Sequence, residues 1–74
     1  MELTVKLFAT LREGRGKVLT LQYEEPPTLE EVTSRLEIAP EDIAILLRNG
    51  RDAALDQRVG DGDTVSIFPP VGGG

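Results

Sequence analysis

The 74-residue chain contains no cysteine, no histidine and no tryptophan. Without cysteine and histidine it forms no disulfides, performs no thiol chemistry and lacks the ligands that soft metals prefer. Carboxylates alone can bind a hard cation, but no spaced acidic loop of the calcium-binding type is present. A chain of this length predicts a single domain, near the lower limit for folding alone. We therefore expect no metal site.

Long apolar segments are missing as well. No run approaches the roughly 20 residues that span a membrane, and the first segment, MELTVKLFATLRE, alternates instead of forming a signal peptide. Basic residues are scarce, 8 against 13 acidic ones, for a formal charge of −5. That excess of negative charge disfavours binding of nucleic acid. It suits binding of a basic protein partner, and it also keeps an ordinary protein in solution. Because the absence of cysteine favours a reducing compartment, we expect a cytoplasmic protein that binds neither nucleic acid nor membrane.

The first half of the sequence predicts two strands and a helix. Residues 3–9 and 17–23 alternate with period two and are separated by the turn residues REGRG, which is typical of an antiparallel hairpin. A helix is predicted next, because Thr28 and Glu31 have the spacing of a capping box. Leucine and valine then recur at helical spacing, and the helix should end before Pro40.

The second half predicts more strands. A buried strand is expected over residues 43–48, ended by the hairpin dipeptide Asn49-Gly50. A poorly defined connection covers residues 52–60, and the last strand covers 64–68. The segment GDGD at 60–63 is interpreted as a turn and not as a metal loop. The order predicts an α+β roll of the β-grasp (ubiquitin-like) kind, a mixed sheet of four to five strands with one main helix packed on one face.

The segment FPPVGGG separates a domain at residues 1–68 from a flexible glycine-rich tail at 69–74. Pro69 and Pro70 fix φ near about −65° and direct the chain outward. Glycines lack side chains, so such a tail fits a narrow channel and offers only the carboxylate of Gly74 as a functional group. The alternative is a frayed end or a leftover of cloning.

A free carboxylate is ionised at neutral pH and is a poor electrophile. Transfer to ATP activates it as an acyl-adenylate, from which a sulfur nucleophile gives a thiocarboxylate and an amine gives an amide. The sequence shows no nucleophile–base pair and no phosphate-binding loop that leads into a helix. We therefore expect no catalytic residue in this chain, and expect a separate, ATP-using protein to perform the chemistry.

The segments LFATLRE, NGR, DGD and FPPVGGG resemble the ThiS/MoaD family of ubiquitin-like sulfur carriers over essentially the whole chain. The diproline-valine resembles the molybdopterin synthase branch in particular, whereas a di-glycine end is shared by several ubiquitin-like branches. Gly72 departs from the family, which often has alanine or threonine at this place. An extra glycine raises the ordering entropy without obstructing entry into a channel.

The resemblance implies that a MoeB/ThiF-like, ubiquitin-activating-type enzyme uses ATP to adenylate Gly74, which a persulfide donor converts to a thiocarboxylate. The tail would then enter the large catalytic subunit of molybdopterin synthase and pass its sulfur to cyclic pyranopterin monophosphate. The resemblance implies no bound cofactor in this chain, because the metal and the pterin belong to the pathway. Gly72 and Gly73 would thread into that subunit. The residues that the resemblance assigns to partner binding are Phe8, Leu11, Phe68, Pro69, Pro70 and Val71.

Two questions stay open at this point. Phe8 and Leu11 suit core packing as well as partner docking. The activated Gly74 also suits a carrier for thiamine, cysteine or thio-tRNA synthesis and a protein modifier that forms bonds to lysines. A β-grasp interaction module with an inert tail is a further alternative. The binding activity of such a module would survive loss of the last two glycines.

Overall fold

A five-stranded mixed sheet forms the centre of the molecule in the computed structural model, which describes residues 1–71. Its strands lie in the order β2-β1-β5-β3-β4; β1 and β5 are parallel, and the other neighbouring pairs are antiparallel. One α-helix, α1, occurs in the described part of the chain. The elements are β1 (Glu2–Leu7), β2 (Val18–Gln22), α1 (Leu29–Arg35), β3 (Ile45–Arg48), β4 (Arg51–Asp52) and β5 (Thr64–Phe68). The predicted β-grasp roll is confirmed.

The core lies between α1 and one face of the sheet. In β1 the residues Leu3, Val5 and Leu7 are fully buried, while the residues between them face the other side. Leu29 and Val32 of α1 are fully buried against them. Each such side chain contributes about 1.5–3 kcal/mol by leaving water. The period-two and helical patterns therefore identified the buried faces correctly.

The predicted start of α1 is confirmed in detail. Thr28 Oγ1 accepts a hydrogen bond from the Glu31 N–H at 3.2 Å, and Glu31 Oε1 accepts one from the Thr28 N–H at 3.1 Å. This capping box satisfies two backbone groups that the first helical turn leaves unpaired. The helix ends before Pro40, as predicted, and Glu37 adopts a left-handed φ of 60° just after it. None of the helices among residues 1–71 is long and apolar enough to cross a bilayer.

The β3–β4 hairpin turns at Asn49-Gly50, as predicted. Both residues have positive φ, 51° and 82°, which is the geometry that favours asparagine followed by glycine. The predicted start of β3 at residue 43 is wrong, because a 3₁₀ helix at Pro40–Asp42 delays the strand to Ile45. The strand is also less buried than predicted, since only Leu46 is enclosed by the core.

The predicted extension of β1 to residue 9 is wrong as well. The strand ends at Leu7, and Ala9, with φ 52°, begins a 3₁₀ helix that extends to Arg12. Arg12 Nε donates to the Leu7 carbonyl at 2.8 Å, and Arg15 Nε donates to the Leu36 carbonyl at 2.9 Å. These arginines tie the segment to the sheet and to the end of α1.

The turn before β5 is organised by Asp63. Its carboxylate accepts hydrogen bonds from the Gly60 N–H at 2.7 Å, Asn49 Nδ2 at 2.9 Å and Arg48 Nε at 2.7 Å. The bond from Gly60 is the main cause that lowers the pKa of Asp63, followed by the bond from Asn49, with Arg48 adding to both and burial opposing them. GDGD therefore forms a turn, and Gly62 has the positive φ of 82° that the turn requires.

Asp63→Asn tests this turn, because it keeps the shape of the side chain and removes its charge. We expect the free energy of unfolding at neutral pH to fall by about 1–3 kcal/mol, the contribution of hydrogen bonds to a charged group. Urea denaturation measures this loss.

The loss depends on pH in a defined direction. The folded pKa of Asp63 lies below the ordinary value of 3.8, so its stabilisation is complete above that value and disappears as the pH falls through the folded pKa. The difference between wild type and Asp63→Asn should therefore shrink below about pH 4. An equal difference in acid and at neutral pH would contradict the role of the charge.

Candidate partner-docking site

The carboxyl ends of β1 and β5 meet at one edge of the sheet. The two strands are parallel, with Leu7 opposite Ile67, so the residues that come next, Phe8 and Phe68, are neighbours. Their rings stack with centroids 4.0 Å apart and planes inclined by 10°. Stacked aromatic pairs add about 0.5–1.5 kcal/mol beyond the area they bury.

Phe68 lies on the face of the sheet that α1 leaves open. Val65 and Ile67 of β5 are fully buried under the helix, so the alternation of the strand directs Phe68 to the opposite face. Ile45 of β3 is paired with Phe68, and 47% of its surface is exposed. Ile45 was not predicted as a site residue, because its place in a hydrophobic run indicated a buried strand.

These side chains continue into the base of the tail. Val71 is 97% exposed, and Pro69 and Pro70 lie between it and Phe68. A groove of about 450 Å³ lies among them, lined also by Ala9 and Thr10. We call the following set the apolar platform: Phe8, Ile45, Phe68, Pro69, Pro70 and Val71. Contiguous exposed apolar surface of this kind is typical of protein interaction sites.

Leu11 does not belong to the platform. It is 5% exposed and belongs to the buried core cluster. The sequence left core packing and docking open for this residue, and the structure places it in the core. The 3₁₀ helix at Ala9–Arg12 turns Leu11 inward, so its side chain offers almost no surface to a partner.

One cation lies at the edge of the platform. The Arg12 guanidinium stands 5.4 Å from the centroid of the Phe8 ring, and its Nε is held by the Leu7 carbonyl. Within residues 1–71, the groove is lined by apolar residues and by Thr10, and none of these residues carries a charge. Such a lining suits binding of an apolar surface.

The tail leaves the sheet at the platform. The Phe68 carbonyl accepts a hydrogen bond from the Ala44 N–H at 2.8 Å, and the two prolines that follow have no N–H with which to continue the ladder. The predicted threading residues Gly72 and Gly73 and the predicted reactive Gly74 lie outside the described residues. Their roles, and the division into 1–68 and 69–74, stay predictions.

A β-grasp sheet with an apolar platform at residues that precede a glycine-rich sequence is typical of a ubiquitin-like carrier. The sequence model of the ThiS family matches residues 5–74. The chain belongs to the ThiS family and is a sulfur carrier of the ThiS/MoaD type.

Three comparisons place the chain within this family and fold. It is 33% identical to small archaeal modifier protein 3 of Haloferax volcanii, with all of both chains covered. It is similar to the crystal structure of SAMP1 from Haloferax volcanii, with a TM-score of 0.78, 25% identity and full coverage of both chains. It shares the fold of a chain in the complex of subunits 1 and 2 of molybdopterin-converting factor from Helicobacter pylori, with a TM-score of 0.67, 21% identity and full coverage of both chains.

Proposed function

We propose that this protein, in the cytoplasm, carries sulfur as a thiocarboxylate on Gly74 and delivers it to cyclic pyranopterin monophosphate in molybdopterin biosynthesis. The observation that carries the proposal is the apolar platform, which lies at the base of the tail FPPVGGG. A carrier needs a surface that docks and a reactive end that reaches beyond that surface. The diproline-valine at the base of the tail favours the molybdopterin branch of the family.

The chemistry takes place on the terminal carboxylate. An oxygen of Gly74 attacks the α-phosphorus of ATP, pyrophosphate leaves, and an acyl-adenylate forms on a MoeB/ThiF-like enzyme. The outer sulfur of a persulfide then attacks the acyl carbon and AMP leaves. A second thiol cleaves the acyl disulfide, which leaves the thiocarboxylate on this chain and a disulfide on the donor. ATP is consumed by the activating partner and is not a cofactor of this chain.

The residues of this chain bind the partner and position the tail. The stacked rings of Phe8 and Phe68 form the rigid part of the platform, and Pro69 and Pro70 restrict the direction in which the chain leaves it. The large catalytic subunit of molybdopterin synthase would cover the platform. Aromatic and apolar residues are enriched at the buried centres of such interfaces, and charges are depleted there. Gly72 and Gly73 have no Cβ and fit a narrow channel.

A second function uses the same activated end. The relative in Haloferax volcanii is named a modifier protein, and an amine that attacks the adenylated Gly74 gives an amide instead of a thiocarboxylate. Conjugation to lysines of other proteins is therefore the second candidate. A carrier for thiamine, cysteine or thio-tRNA synthesis shares the thiocarboxylate and differs only in the acceptor of the sulfur.

Deletion of Gly73 and Gly74 tests whether the end of the tail is needed for adenylation but not for folding. We expect the melting temperature to stay nearly the same and adenylation to be abolished. Wild type produced with its activating enzyme and persulfide donor should gain about 16 Da in intact mass, the exchange of one oxygen for sulfur, and the truncated protein should gain nothing. A large fall in melting temperature on truncation, or the same mass gain without the glycines, would contradict the proposal.

The acceptor is identified in the same preparation. Affinity capture of wild type followed by mass spectrometry should recover a pterin-binding subunit if the first function is correct. Branched peptides with glycine joined to lysine would instead establish the modifier. The truncated protein is the control for covalent products.

Phe68→Ala tests the platform against a matched aromatic residue. Tyr23 is also half-buried, and its backbone pairs with Met1 at the opposite end of β1. We expect Phe68→Ala to weaken binding of the large subunit at least about tenfold, because a central aromatic anchor is lost. Tyr23→Ala should bind as wild type does. Calorimetry measures both affinities once circular dichroism shows that the variants fold, and equal losses would rule out the platform as the docking surface.

A further inference from the structure

The chain contains a single asparagine, Asn49, and a glycine follows it. An asparagine before glycine is especially prone to deamidation, because glycine has no side chain that hinders its own backbone nitrogen. This nitrogen attacks the asparagine Cγ, ammonia leaves, and a five-membered succinimide forms. Water then opens the ring and leaves aspartate or isoaspartate. The turn of the β3–β4 hairpin favours the dipeptide Asn-Gly, so its geometry places a reactive pair at this position.

The reacting atoms are open to water. Asn49 and Gly50 are both exposed, and apart from the chain neighbours no atom lies within 4 Å of the position that a Gly50 Cβ would take. The Gly50 N–H, whose nitrogen is the nucleophile once it has lost its proton, donates to no acceptor in the described part of the chain. Neither burial nor a hydrogen bond of the nucleophile therefore prevents the reaction.

The side-chain amide of Asn49, in contrast, is held at both ends. Its Nδ2 donates to Asp63 Oδ1 at 2.9 Å, and its Oδ1 accepts from the Thr64 N–H at 2.8 Å. A carboxylate only accepts and a backbone N–H only donates, so these partners fix the orientation of the amide. The Asn49 N–H also donates to the Thr64 carbonyl at 2.7 Å. Attack on Cγ requires the side chain to turn away from these partners, and the closed turn opposes that movement.

The product of deamidation disturbs the same contacts. Aspartate at position 49 has an oxygen in place of Nδ2, so a second carboxylate would face Asp63 where a donor lies now. Two like charges at this distance repel. Isoaspartate would add a methylene to the main chain of a two-residue turn, which is incompatible with the backbone geometry that sets the register of the hairpin. Both products therefore weaken the turn that precedes β5.

We propose that Asn49 is a site of spontaneous deamidation that the closed turn before β5 protects and that becomes reactive when this turn opens. While the turn is closed, Asp63 and Thr64 hold the amide. When it opens, the Gly50 nitrogen reacts, and the turn that closes afterwards is less stable. The reaction consumes one water, releases one ammonia and needs no enzyme. The proposal concerns the lifetime of the folded chain and does not depend on what the tail carries.

Intact mass measures the reaction, because exchange of the amide group for a hydroxyl adds about 1 Da. Peptide mapping separates Asn49 from the two glutamines, Gln22 and Gln57. The folded protein is compared with a synthetic peptide of residues 45–53, Ile-Leu-Leu-Arg-Asn-Gly-Arg-Asp-Ala, in the same mildly alkaline buffer. We expect the peptide to react at least about tenfold faster, since the protein reacts only through local opening.

Two destabilised variants distinguish local from global opening. Asp63→Ala removes the partner of the Asn49 amide, whereas Thr28→Ala removes the capping box of α1 and leaves that partner in place. We expect Asp63→Ala to deamidate about tenfold faster than wild type, the effect of one lost hydrogen bond to a charged group. Thr28→Ala should react as wild type does at a temperature at which circular dichroism shows both variants folded.

Asn49→Asp measures the consequence of the reaction. We expect its melting temperature to lie at least about 4 °C below that of wild type, because a hydrogen bond to a carboxylate is replaced by repulsion. In the background of Asp63→Ala the same substitution should lower the melting temperature far less, since the facing carboxylate is gone.

Three results would each overturn the proposal. Equal rates for the folded protein and the peptide would show that the turn does not protect Asn49. Equal acceleration by Asp63→Ala and Thr28→Ala would show that only global unfolding exposes it. A melting temperature of Asn49→Asp equal to that of wild type would show that the product is tolerated.

Discussion

The parallel pairing of β1 with β5 is the constraint on which the rest of the structure depends. It joins the beginning of the chain to its end, with Thr4 opposite Thr64 and Leu7 opposite Ile67. Because the strands run in the same direction, their carboxyl ends meet, and Phe8 comes to stack on Phe68. The point from which the tail departs is therefore fixed by the central strands of the sheet, which are the strands most deeply buried.

The same pairing also determines which residues lie on each face of the sheet. One face carries the core with α1, and the other carries the apolar platform, so alternate residues of β5 face the core and the platform. Val65 and Ile67 are fully buried, while Phe68 faces the platform. A chain with so small a core has little stability in excess.

Local sequence patterns predicted the strands, the helix and the turns. The features that the sequence did not predict depend on contacts between residues that are distant in the chain. The limits of the last strand, 64–68, were correct, because alternation and the flanking GDGD and diproline are local signals. The burial of Leu11 depends on a 3₁₀ helix that Arg12 and Arg15 hold by contacts outside it. Ile45 became a platform residue only through its pairing with Phe68 in another strand. The GDGD turn was predicted, but the partners of its aspartate were not, since two of them lie in the β3–β4 hairpin.

Native-state hydrogen exchange of the β1 and β5 amides tests this account most directly. If the parallel pair is the foundation of the fold, these amides exchange only through global unfolding, and their exchange free energy equals that from urea denaturation. The amide of Ile67 should be among the slowest in the protein. Fast exchange of Ile67 by local opening, while α1 stays protected, would show that the base of the tail is not rigid and would contradict the account.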